Sequence, residues 1–441
     1  MDNRLAHMDQ ASFLALRALG HRAVLQFNWI YNRPVNVDGL RRFHRGLGHG
    51  LLGRRIERSP LPFARDRWVA DRGPGDIEIA EVPRPRVDLG RWLFERASLP
   101  LDPEHGPGWH LGVMPFEDGG TAVCLTTSHT LVDGRGLMHA MADAAGGRIR
   151  HLNYPPPGSR TRRRALREDA WETIKSAPEL ARAVAATLRI GGRRRKELAA
   201  SIAPSPRTGA DQPVTVPSVS AYVDLAQWNA RAKSLGGNSL FLLGGFAARL
   251  GVRMGRVCDD GSVTLSFPMS NRADDDTRGN ALAFLFTSVD PTHVASDLGE
   301  VRVKMRRALA EMSETSAELL GPLPLTSFTP KWVARRAAGM ALGAAGLPIG
   351  CSYVGDLPAR VNRADGTDAD YSHGRLVEPG ISRRTLERVG GQLFLVAGRV
   401  HGKIWITVNA YLTGRTNSVD ALREDLARTF AEFNVTAEIQ G

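Results

Sequence analysis

The chain has 441 residues, 42% hydrophobic and 24% charged, with a net charge of +12 and three cysteines. That length exceeds one ordinary core and predicts two domains of roughly 200 residues each. Every apolar run is broken before about 18 residues, which argues against a membrane-spanning helix, and Met1 to Arg4 leads into no apolar stretch of a secretory signal, so a cytoplasmic protein is expected.

In chain order, Leu40, Phe43, Leu47 and Leu51 recur at helical spacing and predict an amphipathic helix over 38–56, starting near Asp38. Glycines 46, 48, 50 and 53 interrupt that stripe and follow no strand, so they read as close-packing positions and not as a phosphate loop. Leu111 to Met114 and Thr121 to Ser128 flank Glu117-Asp118-Gly119-Gly120, a hairpin pattern. Tyr154 to Ser159 opens a crossover and Ala203 to Pro217 closes it. Beyond it, strands are expected at 218–225, 263–267 and 283–289, and helices at 239–252 and 296–317. Gln392 to Val400 and Ile404 to Tyr411 form a hairpin around His401-Gly402-Lys403. Ser418 caps a last helix with Val419, Leu422, Leu426, Phe430 and Phe433 on one face. The alternation of strands and helices predicts an α/β (α+β) protein in two halves. The expected partition is 1–155 for an N-terminal lobe, 156–217 for a basic crossover and 218–441 for a C-terminal lobe.

The positive charge is concentrated. Residues 160–197 hold twelve Lys/Arg against five Asp/Glu, a net +7. The segment reads as a solvated bridging helix, or as a surface for anionic lipid, for substrate phosphates or for an acidic carrier protein. It lacks interleaved aromatics, so nucleic acid is not expected as a partner. A second candidate lipid contact is Lys331-Trp332-Val333-Ala334-Arg335-Arg336 followed by the small, apolar run 337–347; the alternative is a helix packed inside the protein. Cys124, Cys258 and Cys351 have no metal-ligand spacing and read as reduced thiols, and neither a metal nor a cofactor is expected.

The chemistry centres on His129-Thr130-Leu131-Val132-Asp133-Gly134. An apolar strand delivers the histidine to its end, and the Asp-Gly pair four residues on suits a tight turn that braces the loop. A second constellation, Pro268-Met269-Ser270-Asn271-Arg272 with Gly279-Asn280, also follows a buried strand. Its Arg272 is placed to pair with Asp133 in a bidentate, charge-assisted contact.

Together these stretches resemble the HxxxD acyltransferase superfamily, which includes wax ester synthase/diacylglycerol acyltransferases, polyketide-associated acyltransferases and peptide-synthetase condensation domains. His129 to Gly134 resembles the HxxxDG core. Pro268 to Arg272 with Gly279-Asn280 resembles the P-V-S-x-R…G-N block, and Met8 to Phe13 the L-D-x-x-F opening. Leu101-Asp102-Pro103 with Trp109, Gly237-Asn238-Ser239 and Ser352-Tyr353-Val354-Gly355 resemble further blocks, in the expected order. The departures are Ser128 for the first of two adjacent histidines, Ser239 for an aspartate and Tyr353 for an asparagine. The entry before Trp109 is reduced to Pro107-Gly108.

The resemblance implies two chloramphenicol-acetyltransferase-like lobes in a V-shaped pseudo-dimer around a central tunnel. It implies an acyl-CoA-dependent O-acyltransferase with His129 as general base and Asp133, Gly134 and Arg272 supporting the site. Ser128, Asn280 and Ser352 are secondary candidates. The substrates would be an acyl-thioester donor and an alcohol or amine acceptor. The alternatives are a condensation-type enzyme fed by a carrier protein, and a relative without turnover that acts as a binding protein. A monomer is expected.

Overall fold

A computed structural model describes the chain except Met1, His21, Arg72, Pro74, 194–210 and 335–347. The N-terminal part runs α1 (His7–Leu19), β1 (Val24–Tyr31), α2 (Val37–Leu47), β2 (Arg54–Glu57), β3 (Arg67–Ala70), β4 (Glu78–Ile79), α3 (Leu89–Ser98), β5 (Trp109–Pro115), β6 (Thr121–Ser128), α4 (Gly134–Ala145), α5 (Arg162–Lys175) and α6 (Ala177–Arg193). The remainder runs β7 (Ser218–Asp224), α7 (Leu225–Ser234), α8 (Ser239–Arg253), β8 (Val263–Ser270), β9 (Leu282–Val289), α9 (Gly299–Leu320), β10 (Ile349–Asp356), β11 (Tyr371–Val377), α10 (Arg383–Arg388), β12 (Gln392–Val400), β13 (Lys403–Tyr411), α11 (Val419–Glu432) and β14 (Glu438–Gln440).

Among the described residues these strands form two main sheets, a five-stranded β11-β1-β6-β5-β4 and a seven-stranded β14-β7-β13-β12-β10-β8-β9. Each has its own apolar core. The first is built on Phe27, Trp29, Leu125 and Leu131. The second is built on Phe246, Leu265, Ile406 and Phe430. β6 lies between β1 and β5 and is buried along its whole length, so the sheet holds the backbone entering His129 on both sides. Such mixed α/β layers bury each sheet against helices and against each other.

The sheets do not follow the expected partition at 218. β11 returns from the C-terminal part to pair with β1, setting His373 opposite Asn28 and Arg375 opposite Gln26. Two lobes are therefore present, but one edge strand of the first comes from the far end of the chain.

Three other expectations change. The helix expected over 38–56 ends at Leu47, is capped by Asn36 rather than starting at Asp38, and gives way to β2 at Arg54. Its glycine run does pack closely: a Cβ on Gly46 would stand 2.9 Å from Cα of Ala144 in α4. Over its described residues the basic crossover is solvated on one face only. Two of its acids turn inward: buried Asp169 binds Arg67 and Arg160 at 2.8 Å each, and Glu172 binds Arg4 at 2.7 Å. Arg162, Arg163, Arg164 and Arg167 face solvent. No single described helix is long and apolar enough to cross a membrane. Of the candidate lipid contact 331–347 the residues 335–347, and of the basic crossover 156–217 the residues 194–210, lie outside the described residues.

Candidate active site

His129 follows β6 directly. Its backbone N–H donates to Ala23 O at 3.0 Å, which ties it to the entry of β1. Its carbonyl accepts from Asn280 Nδ2 at 3.2 Å, and Asn280 belongs to the loop after β8 of the other lobe. The residue is thus gripped through its backbone from both lobes. The side chain is half-buried, and among the described residues its ring has no hydrogen-bond partner.

Asp133 caps α4. Its carboxylate accepts from Gly136 N at 2.7 Å and Ala281 N at 2.7 Å. The expected partner is present. Arg272 Nη2 donates to Asp133 Oδ2 at 2.8 Å and Nε to Oδ1 at 3.3 Å. Both side chains are 1% exposed. The remaining guanidinium donors go to main-chain carbonyls: Nη1 to Asp276 and Arg278 at 3.1 and 2.8 Å, Nη2 to Gly279 at 2.9 Å. Asp133 N in turn donates to Gly279 O at 2.8 Å. This is a desolvated pair whose remaining hydrogen-bonding positions are largely filled, the arrangement in which burial of two charges is tolerated. Glycine at 136 makes room for it, since a Cβ there would lie 3.2 Å from Arg272 Cζ and 2.7 Å from a methyl of Val132.

Two further residues complete the clamp, and neither stood among the candidate site residues. Asp9 of α1 is fully buried and accepts from Gly279 N at 2.8 Å, Asn280 N at 2.6 Å and Asn280 Nδ2 at 3.2 Å. Arg54 of β2 lies flat over Trp68 at 3.8 Å and donates to Leu131 O at 2.9 Å and to Thr277 O. The loop 271–281 is therefore held in the first lobe by Asp9, Arg54 and Asp133 together. Met8 to Phe13 carried a resemblance but no spacing that pointed to this contact, which joins residues 271 positions apart.

The other candidates stand apart from this network. Gly134 opens α4, and Val354 of β10 approaches within 3.5 Å of where its Cβ would be. Ser128 is buried, accepts from Thr130 N at 3.3 Å and lines a recess with Leu16, Leu99 and Leu101. Ser352 sits in β10 opposite Val396, away from the loop. Two of the departures from the family pattern touch each other: Tyr353 Oη donates to Ser239 Oγ at 3.2 Å. Five of the cavities among the described residues have walls that do not include His129.

Burial pushes the thiols of Cys124 and Cys351 up, which holds them protonated. Among the described residues no cluster of three or more His, Cys, Asp or Glu is arranged to hold a metal ion.

No family model matches the chain, and no curated protein matches its sequence. Solved structures do match. The first condensation domain of the calcium-dependent antibiotic synthetase, in complex with a substrate analogue, superposes with a TM-score of 0.59 at 15% identity, covering 99% of this chain and 100% of that one. The nonribosomal peptide synthetase FmoA3 gives 0.55 at 18% identity over 98% of this chain, which spans 42% of that one. Wax ester synthase/diacylglycerol acyltransferase from Marinobacter aquaeolei VT8 gives 0.54 at 14% identity, covering 98% and 100%. At these identities the likeness establishes the fold.

Proposed function

We propose that this chain, which has the two-lobed fold shared by peptide-synthetase condensation domains and wax ester synthase/diacylglycerol acyltransferase, is an acyltransferase with His129 as its general base. The observation that carries this reading is the unpartnered ring of His129, fixed through its backbone by Ala23 on one side and Asn280 on the other. A general base needs a free nitrogen, a fixed backbone and access to substrate, and it is worth roughly 10²–10⁴-fold in rate.

In this reading an acyl thioester, acyl-CoA in the first instance, meets an acceptor hydroxyl at the ring. His129 takes the hydroxyl proton as oxygen attacks the carbonyl carbon. The C–O bond forms, the C–S bond breaks, and the imidazolium returns the proton to the thiolate. Asp133 and Arg272 keep the loop in place and touch neither reactant. Cys124 and Cys351, buried and held protonated, are not ready to carry the acyl group. Entry of both reactants to His129 requires a channel between the lobes.

A second reading is favoured by the condensation-domain likeness: the acyl group arrives on a carrier-protein arm, and an ester or amide forms. Thiol release measured with acyl-CoA and with acyl-carrier protein, each with alcohol and amine acceptors, separates the two. Release from neither donor would favour the binding-protein alternative, for which Ser128 in place of a histidine is the motivating feature.

We also infer a cytoplasmic protein that touches membranes from one side. On α5 and α6, Trp171, Ile174 and Leu188 are 58%, 65% and 72% exposed, beside exposed Arg167, Lys175, Arg182 and Arg189. Apolar side chains ringed by cations suit an anionic bilayer surface.

A further inference from the structure

The largest of the five cavities, about 350 Å³, lies between the lobes, outside the His129 loop. Its floor is β11, which offers His373 and Arg375. Val87 and Leu93 form one wall, and Ser220, Ile439 and Gln440 the other. At this size it falls in the range of small-molecule sites.

Arg375 is the unusual feature. It is 6% exposed. Its Nε donates to Gln26 Oε1 at 2.6 Å, and its Nη2 is buried with no hydrogen-bond partner. Gln26 cannot turn away, because its amide nitrogen is spent on Leu93 O and Thr126 Oγ1 at 3.0 Å each. Among the described residues the guanidinium is therefore oriented by a fixed amide and paired with no carboxylate. Burial lowers its pKa to about 10, and the only opposing influence is the Cys124 thiol, itself held protonated. A buried cation without a counter-ion is costly, and proteins ordinarily pair it.

The surrounding groups limit what could pair with it. Arg86 already binds Asp118 at 2.7 Å, and Arg423 already binds Asp420. Burial holds His373 neutral, with its pKa lowered to about 3, between Tyr222 Oη at 2.7 Å and Asn28 at 3.0 Å. One positive charge is left over, on an apolar-walled cavity. A phosphate would bring more charge than that one guanidinium balances. A carboxylate matches it, since a guanidinium and a carboxylate are both planar and make charge-assisted hydrogen bonds.

We propose that this cavity binds a monocarboxylate with an apolar tail, the carboxylate resting on Arg375 and the tail against Val87, Leu93 and Ile439. The site is separate from acyl transfer: binding here needs neither a thioester nor His129.

Octanoate is a suitable probe, with octanol and octyl phosphate beside it, followed by calorimetry on the full chain. Octanoate should bind saturably to wild-type protein and more tightly than either analogue. Arg375→Met keeps an unbranched stem and removes the unpaired charge, at the loss of the contact to Gln26 Oε1, so it should remain folded. It should bind octanoate about ten- to hundredfold more weakly, the loss of a charge-assisted hydrogen bond. If Arg375→Met does not fold, Ile439→Trp fills the cavity with Arg375 in place and should block binding. Failure of octanoate to bind wild type, equal binding by the variants, or tighter binding of octyl phosphate would each overturn the proposal. His129→Ala should bind octanoate as wild type does, which keeps this test independent of the acyltransferase reading.

Discussion

Replacing Arg272 by methionine tests the clamp that holds the His129 loop. Asp133 and Arg272 are each 1% exposed and joined by two contacts, at 2.8 and 3.3 Å. Removing the guanidinium strands a carboxylate that keeps only the N–H groups of Gly136 and Ala281. Breaking a buried pair from one side typically costs about 3–5 kcal/mol. Arg272 also serves the carbonyls of Asp276, Arg278 and Gly279, each of which costs about 1–3 kcal/mol if left buried and unpaired. The exposed rim of that loop can relax toward water, so about 4 kcal/mol is expected and not the full sum. Asp133→Asn should cost a similar amount, and the double variant clearly less than the two singles together, with a coupling of about 2 kcal/mol or more. Urea denaturation followed by tryptophan fluorescence would show this, since Trp29, Trp68 and Trp109 all lie in the first lobe. A loss under about 1 kcal/mol for Arg272→Met, or strict additivity in the cycle, would show that the pair does not hold the loop.

Other outcomes follow from the same geometry. Asn280→Ala removes the donor to the His129 carbonyl and one of three donors to Asp9, so kcat for thiol release should fall at least tenfold while the far-ultraviolet spectrum stays native. His373 stays neutral in the fold while the unfolded chain takes up a proton near pH 6.5, its pKa in the fold being about 3. Stability is then full above pH 6.5 and falls as pH drops toward 3, by up to about 5 kcal/mol. In urea titrations between pH 4 and 7, His373→Gln should flatten that slope, and an unchanged slope would refute the assignment. For membrane contact, wild-type protein should sediment with phosphatidylglycerol vesicles at low salt and release at high salt. The pair Trp171→Glu and Leu188→Glu should stay in the supernatant.

How much of this was legible in sequence depended on how local each signal is. The β5–β6 and β12–β13 hairpins, the helix capped by Ser418 and the buried helix after Asn238 are each encoded within a dozen or so neighbouring residues, and their patterns read correctly. The pairing of Arg272 with Asp133 was legible because both follow strand ends in a motif of fixed order. What was missed is non-local. β11 joins β1 across some 345 residues, with nothing in either stretch to name the other. Asp9 reads as an ordinary first-turn acid of α1 until the loop 279–280 is laid on it. The apolar stripe of α2 continues past Leu47 through Leu51, but the glycines at 48 and 50 end the helix first. The inward turn of Asp169 and Glu172 reversed the expectation of a solvated bridge, because net charge does not say which face carries it.

The most direct test of the central claim is thiol release by purified His129→Ala, measured beside wild type with whichever thioester donor wild type accepts. The proposed chemistry predicts a fall of about 10²–10⁴-fold with an unchanged urea midpoint. Turnover at the wild-type rate by a folded His129→Ala protein would contradict it.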